Sequence, residues 1–187
     1  MALSEKHGFG QYYEMSKANC GVALIQLGEL HEGMVLIQDS LRTSESMGIK
    51  LNRPFYLAEL AAGAAEAKHW EEAEDFLNEA VAQADASGES WCEAEIYRLK
   101  GEFRLAQDSV AGAAQAVDSF LRSLDVARSQ SAKAWELRTA TSLARLWQGQ
   151  GKRKDALDLL KPVYEWFTEG FDTKDLQEAK SVLDELR

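Results

Sequence analysis

Two prolines in 187 residues leave almost nothing to interrupt a helix, because proline lacks the amide proton that a helix needs and clashes with the preceding turn. Cysteine is equally scarce. Cys20 and Cys92 both sit inside helical patterns, 72 residues apart. Both are expected to be reduced, buried thiols packing as small apolar groups. No apolar run approaches the ~18 residues of a membrane helix, so no membrane is expected among the partners. Residues 1–8 are polar and lack the apolar centre of a signal peptide. These absences predict a cytoplasmic protein. Basic residues are outnumbered 21 to 31, giving a formal charge of −10. That excess is concentrated between residues 66 and 108, where twelve acids meet four bases. Nucleic acid, which requires a basic face, is therefore not an expected partner.

What the chain has is a period. A small residue recurs at Gly21, Ala61, Gly101 and Ala144, and a second at Gly33, Ala73, Ala116 and Ala156. The spacing is 40 residues, apart from one step of 43 in each series. The three additional residues must fall in a turn within 107–114. Four positions after the second small residue comes a larger apolar one: Ile37, Leu77, Phe120 and Leu160. Two helices approach to ~8 Å only where the facing side chains are short. Each repeat therefore reads as a helix pair that closes on two small residues, with a large neighbour filling the space beside them. Gly8, Gly48 and Gly88 form a further series, at the point where a helix would end in the left-handed conformation.

Nine helices are predicted, over 10–27, 30–46, 53–67, 70–86, 91–106, 112–129, 133–148, 152–168 and 173–186. Pro54 sits in a first turn, where its missing amide is harmless. Ser90 and Glu93 are spaced as a capping box, and Asp172 and Thr173 are placed to cap the last helix. The predicted organisation is a single all-α domain of four repeats, at 9–48, 49–88, 89–131 and 132–171, closed by a helix over 172–187. Residues 2–8 match the last turn of a second helix, so the chain is expected to be a fragment of a longer protein.

Paired helices with small, small and large residues at these places resemble the tetratricopeptide repeat, which implies an α-α superhelix. The ~40-residue period, against the usual ~34, resembles the longer repeats of maltose-regulator-type ATPases. The closing stretch is more specific. Trp135-Glu-Leu-Arg-Thr-Ala-Thr-Ser-Leu-Ala-Arg-Leu-Trp147, then Pro162-Val-Tyr-Glu-Trp-Phe-Thr-Glu-Gly-Phe-Asp-Thr173, with Tyr97-Arg-Leu-Lys-Gly-Glu102 upstream, resembles the extreme C-terminus of bacterial class III adenylate/guanylate cyclase-like proteins that also carry a signalling ATPase domain. The resemblance implies a regulatory repeat region whose catalytic parts lie upstream.

No catalytic constellation emerges. Gly149-Gln-Gly-Lys152-Arg153 lacks the spacing and the Ser/Thr of a phosphate loop and reads as a turn. His7, His31 and His69 have no distinctive ligand spacing, and Glu71-Glu72 and Glu74-Asp75 read as a solvated helix face. Trp91, Trp135, Trp147, Trp166, Phe167 and Phe171 are expected in the core rather than in a ligand cage. No metal site and no cofactor are expected.

The concave face implied by the resemblance supplies the candidate binding residues. Its first half presents Met15, Val22, Ile25 and Phe55, apolar enough to seat a partner helix unless it is simply buried. Its second half presents Glu95, Arg98, Glu102, Arg138 and Arg145, suited to carboxylates or phosphates unless the charges neutralise one another within the helix. The expected function is a non-catalytic interaction and regulatory module, holding a peptide or protein domain, including other domains of its own protein. The alternative is a small-molecule sensor inside the superhelix. The first helix is apolar nearly all round. Without a preceding repeat to cover it, weak homodimerisation through helices 10–27 and 30–46 is expected.

Overall fold

The computed structural model describes residues 8–107 and 111–187. Nine α-helices occupy them: α1 (Gly10–Gln26), α2 (Leu30–Ser46), α3 (Arg53–Glu66), α4 (Trp70–Ser87), α5 (Glu93–Gln107), α6 (Ala113–Ser129), α7 (Lys133–Gly149), α8 (Arg153–Glu165) and α9 (Lys174–Leu186). No strand occurs among the described residues. None of these helices is long and apolar enough to cross a membrane. The chain divides into two compact units, Met1–Ser90 and Trp91–Arg187. In the first, α1 packs on α2 and α3 on α4, with α3 also meeting α1 and α2. In the second, α5 packs on α6 and α7 on α8; α7 also meets α5 and α6, and α9 closes against α7 and α8.

The helix pairs close where the small residues stand. A methyl added at Gly21 would lie 2.6 Å from the Gly33 carbonyl oxygen, and one at Gly33 would lie 2.6 Å from that of Gly21. The backbones of α1 and α2 thus touch, and Ile25 and Ile37 fill the flanks of the contact. At Gly101 the space is taken by the Phe120 ring, whose edge lies 2.5 Å from where a Cβ would stand. Ala61, Ala73, Ala116, Ala144 and Ala156 are all fully buried. Seven residues after the second small position, a serine ties two of the pairs together. Ser40 donates to the Glu14 carbonyl at 2.7 Å, and Ser123 to the Ala94 carbonyl at 2.6 Å.

Helix ends repeat as well. After α1, α2, α3, α6 and α7 the chain makes the same reverse turn: the amide after a left-handed residue bonds back five residues, as in Glu29 to Leu24 at 2.9 Å and Ala132 to Ala127 at 2.8 Å. The left-handed residue is Gly28, Gly48 or Gly151 in three of these turns, but Lys68 and Ser131 in the other two. Ser131 occupies the register position held by Gly8, Gly48 and Gly88 in the glycine series.

Several expectations are corrected. The helix expected from residue 91 starts at Glu93, with Cys92 accepting the first turn's hydrogen bond from Ile96. Glu93 is therefore a first-turn residue, 3.8 Å from Arg122, and not the third residue of a capping box. Thr173 has the extended conformation of an N-cap, but its hydroxyl donates to the Gly170 carbonyl instead. The helix expected to reach 168 ends at Glu165. Pro162 lies inside it and removes one amide from its ladder, and the last turn tightens through a Phe167-to-Tyr164 bond. The three additional residues of the third repeat, placed within 107–114, and the N-terminal turn at 2–8 fall partly outside the described residues.

Candidate functional site

In the unit Trp91–Arg187 the second-half candidates do come together, along one side of α7. Successive turns place Arg138, Ser142, Arg145 and Gln148 in a row between α5 and α9. Arg138 Nε donates to Asp175 at 2.8 Å and its Nη1 to Glu95 at 3.3 Å, with the guanidinium 5.1 Å over the Trp135 ring. Ser142 donates to Glu102 at 2.5 Å, Arg145 to Glu178 at 3.2 Å, and Gln148 to Glu185 at 3.2 Å. Within α5, Arg98 grips Glu95 through two bonds of 2.8 and 2.7 Å and reaches Glu102 at 3.4 Å.

The electrostatics follow from this pairing. Glu95 is 5% exposed, a depth at which an unpaired carboxylate would be costly. Arg98 supplies the planar two-pronged partner suited to it. Burial works against the Arg98 charge. The bonds and charges of Glu95, then Glu102 and Asp175, more than offset it and hold the guanidinium above its ordinary pKa. Arg138 is raised on the same balance: burial lowers it, while Glu95 and Asp175 raise it by more. Of the five charged candidates, Glu95, Arg98 and Arg138 are engaged in internal pairs, Arg98 within α5 and Arg138 between α7 and its neighbours α5 and α9.

Arg145 and Glu102 keep part of themselves in water. Their side chains are 49% and 41% exposed, and both border an open cleft of about 420 Å³ lined by Glu102, Leu105, Ser142, Arg145, Leu146, Gly149 and Gln150. The cleft combines two leucines, one cation, one anion, a hydroxyl and the carboxyl end of α7. It has the size of a small-ligand pocket and the mixed lining of a peptide side-chain subsite.

The apolar candidates of the first unit do not form a comparable surface. Ile25 is 4% exposed and fills the space beside Gly33 and Gly63 that a Cβ on either would need; it is a core residue. Met15 borders a space of only about 10 Å³ beside Ser40, Leu41 and Tyr56, at the lower limit for one water. Val22 and Phe55 are half-buried, and the Phe55 ring lies 5.5 Å from that of Tyr56.

The remaining candidates settle individually. Trp91, Trp166 and Phe171 are 43, 58 and 47% exposed, against the expectation of core. Trp135, Trp147 and Phe167 pack at the margins of core clusters. Trp166 packs edge-on to Phe167 at 5.1 Å and lies under the Lys133 ammonium at 5.8 Å. Cys92 is buried as expected, whereas Cys20 is exposed. His69 precedes α4 with its Nδ1 3.5 Å from Glu72, His31 is exposed, and His7 lies outside the described residues. Residues 149–153 form the turn between α7 and α8, where Arg153 bonds the Glu185 carbonyl. No group of three metal-ligating side chains occurs among the described residues.

Ser142, Gln148, Asp175, Glu178 and Glu185 were missed by the sequence reading. Their signal was available: the acids at 175, 178 and 185 share one stripe of the closing helix, and Arg138 and Arg145 share one stripe of α7. The chain matches no protein-family model and no curated protein.

Proposed function

We propose that this chain is a tetratricopeptide-like α-α superhelix acting as a non-catalytic interaction and regulatory module. It would serve a cytoplasmic signalling protein of the kind its C-terminal sequence resembles, with cyclase and ATPase parts upstream. The observation that carries this reading is the cleft between α5 and α7. It is open, ligand-sized and lined by an exposed arginine, an exposed glutamate and two leucines. An occupant with an apolar side chain beside a carboxylate would meet Leu105, Leu146 and Arg145 together, which is the chemistry of a peptide. The repeated register of buried small residues supports the superhelix, since each pair closes at the same place.

The cleft volume of about 420 Å³ also fits a small carboxylate-bearing molecule, the second reading. One experiment separates the two. A displayed random-peptide library is panned on the purified chain, the selected peptides are titrated calorimetrically, and a metabolite collection is screened by thermal shift. On the first reading, selected peptides bind and Arg145→Glu or Leu105→Asp weakens them about tenfold or more. Thermal stabilisation by a small molecule that Arg145→Glu abolishes, with no selected peptide binding, moves the assignment to a sensor. Binding indifferent to both substitutions refutes the cleft.

A further inference from the structure

A peptide in the cleft between α5 and α7 would use Arg145, Leu105 and Leu146 and leave Glu102 without a role. Yet Glu102 is held in place there. Its Oε1 accepts from the Ser142 hydroxyl at 2.5 Å and from Arg98 Nη1 at 3.4 Å. Ser142 is 7% exposed, so a buried hydroxyl anchors this carboxylate. Among the described residues its Oε2 has no partner. Arg145 is in the same state. Its Nη2 donates to Glu178 at 3.2 Å, while Nε and Nη1 have no partner among the described residues. The cleft thus offers a spare negative acceptor and spare positive donors, on two side chains about half in water.

We propose that the cleft binds a free α-amino acid with an aliphatic side chain, its ammonium on Glu102, its carboxylate on Arg145 and its side chain against Leu105 and Leu146. The inference rests on the small-ligand reading of the cleft and narrows that ligand to a zwitterion.

Charge selects the class. A carboxylate alone would pair with Arg145 but face Glu102 uncompensated, and an amine alone would face Arg145. Only a ligand carrying both charges leaves neither side chain opposed. The carboxyl end of α7, at Gly149 and Gln150, adds to the negative side, where an ammonium is favoured. A zwitterion is also neutral as a whole, so the −10 charge of the chain does not repel it as it would a free anion. Size and shape agree. The volume of about 420 Å³ lies toward the low end of the ~300–1,000 Å³ of ligand pockets. No aromatic ring among the described residues lines it, which suits an aliphatic group rather than a stacked base. Gly149 lines the cleft without a side chain, and nothing lies within 4 Å of where its Cβ would stand. Neither a positive φ nor a helix crossing requires glycine there, and glycine weakens a helix relative to alanine. What the missing side chain supplies is room for the ligand.

Chemical-shift titration of the 187-residue chain with L-leucine, from about 0.1 to about 20 mM, should saturate with millimolar dissociation, as so few contacts imply. N-acetyl-L-leucine lacks the ammonium and L-leucinamide lacks the carboxylate; each should bind at least about tenfold more weakly. Glu102→Gln should weaken leucine without weakening N-acetyl-leucine, and Arg145→Gln should weaken leucine without weakening leucinamide. Gly149→Leu should fill the space and abolish binding of all three. N-acetyl-leucine binding as tightly as leucine overturns the zwitterion; if Arg145→Gln still weakens it, the cleft keeps its carboxylate ligand. No saturation by leucine overturns the proposal, and selected peptides that bind through Arg145 in that case leave the peptide reading standing. Leucine binding indifferent to all three substitutions overturns it as well. The two derivatives act on the unaltered chain, so they decide should a variant fail to fold.

Discussion

Replacing Gly33 by alanine sets two effects against each other. Glycine inside a helix is worth about 1 kcal/mol less than alanine, so the substitution gains that much for α2 as an isolated helix. The new methyl, however, would stand 2.6 Å from the Gly21 carbonyl oxygen, 2.7 Å from Ile25 Cγ1 and 2.9 Å from the Ile25 amide nitrogen. Two of these three atoms are α1 backbone and cannot rotate away. Ile25 is held in turn, 3.1 Å from the place of a Cβ on Gly63. The pair must open by several tenths of an ångström, a strain of about 2–3 kcal/mol for overpacking of this kind. The net expectation is a loss of about 1–2 kcal/mol, or a Tm lower by about 3–6 °C for a chain of this length. Gly149→Ala is the control: nothing lies within 4 Å of its added methyl, and it should be neutral or stabilising by up to ~1 kcal/mol. Urea denaturation followed by circular dichroism at 222 nm, with tryptophan fluorescence as a second probe, compares the three proteins. Gly33→Ala as stable as wild type would mean that α1 and α2 do not touch at this crossing, and the register argument would fail.

Three further outcomes follow from the polar ties and the turns. Glu95→Gln leaves Arg98 without its two-pronged partner in a largely buried place and should destabilise by about 3 kcal/mol, while Glu95→Met/Arg98→Met should recover much of that loss in the same denaturation assay. The Glu136 carboxyl is opposed by burial but held below its ordinary range by the bonds from Lys133 and Arg128. Its contribution is complete above the ordinary glutamate pKa of about 4.3 and is lost as pH falls through the lower folded value. Glu136→Gln should therefore be less stable than wild type at pH 7, and the gap should close on acidification from about pH 5 to pH 3; a constant gap across that range contradicts the assignment. Ser131 holds φ at 55° where the equivalent residues are glycine. Ser131→Gly should raise stability by up to about 1 kcal/mol, the relief of the left-handed conformation partly offset by a looser unfolded chain; a lower denaturation midpoint would refute it.

The sequence alone was enough for the all-helical class and for the approximate span of each helix. The reason is local: a close approach needs a short side chain, a reverse turn needs a residue tolerant of positive φ, and both recur at a fixed interval along the chain. Gly21, Gly33 and Gly101 stand at close contacts between helices, and Ala61, Ala73, Ala116, Ala144 and Ala156 are fully buried. Helix ends were read less well, because Cys92, Pro162 and Thr173 act through backbone geometry that the side chains alone do not announce. What only the tertiary structure decided was which of the candidate side chains were free to act. Arg138 is neutralised by Asp175 and Glu95, 37 and 43 residues away, and Ile25 is sealed by the glycines of two other helices. Tyr12 and Leu27 are exposed on α1, whereas Tyr56 and Leu60 are buried on α3. Helical spacing tells which residues share a stripe; whether that stripe meets charge, core or solvent is set by the helix that packs across it, contributed by a distant part of the chain.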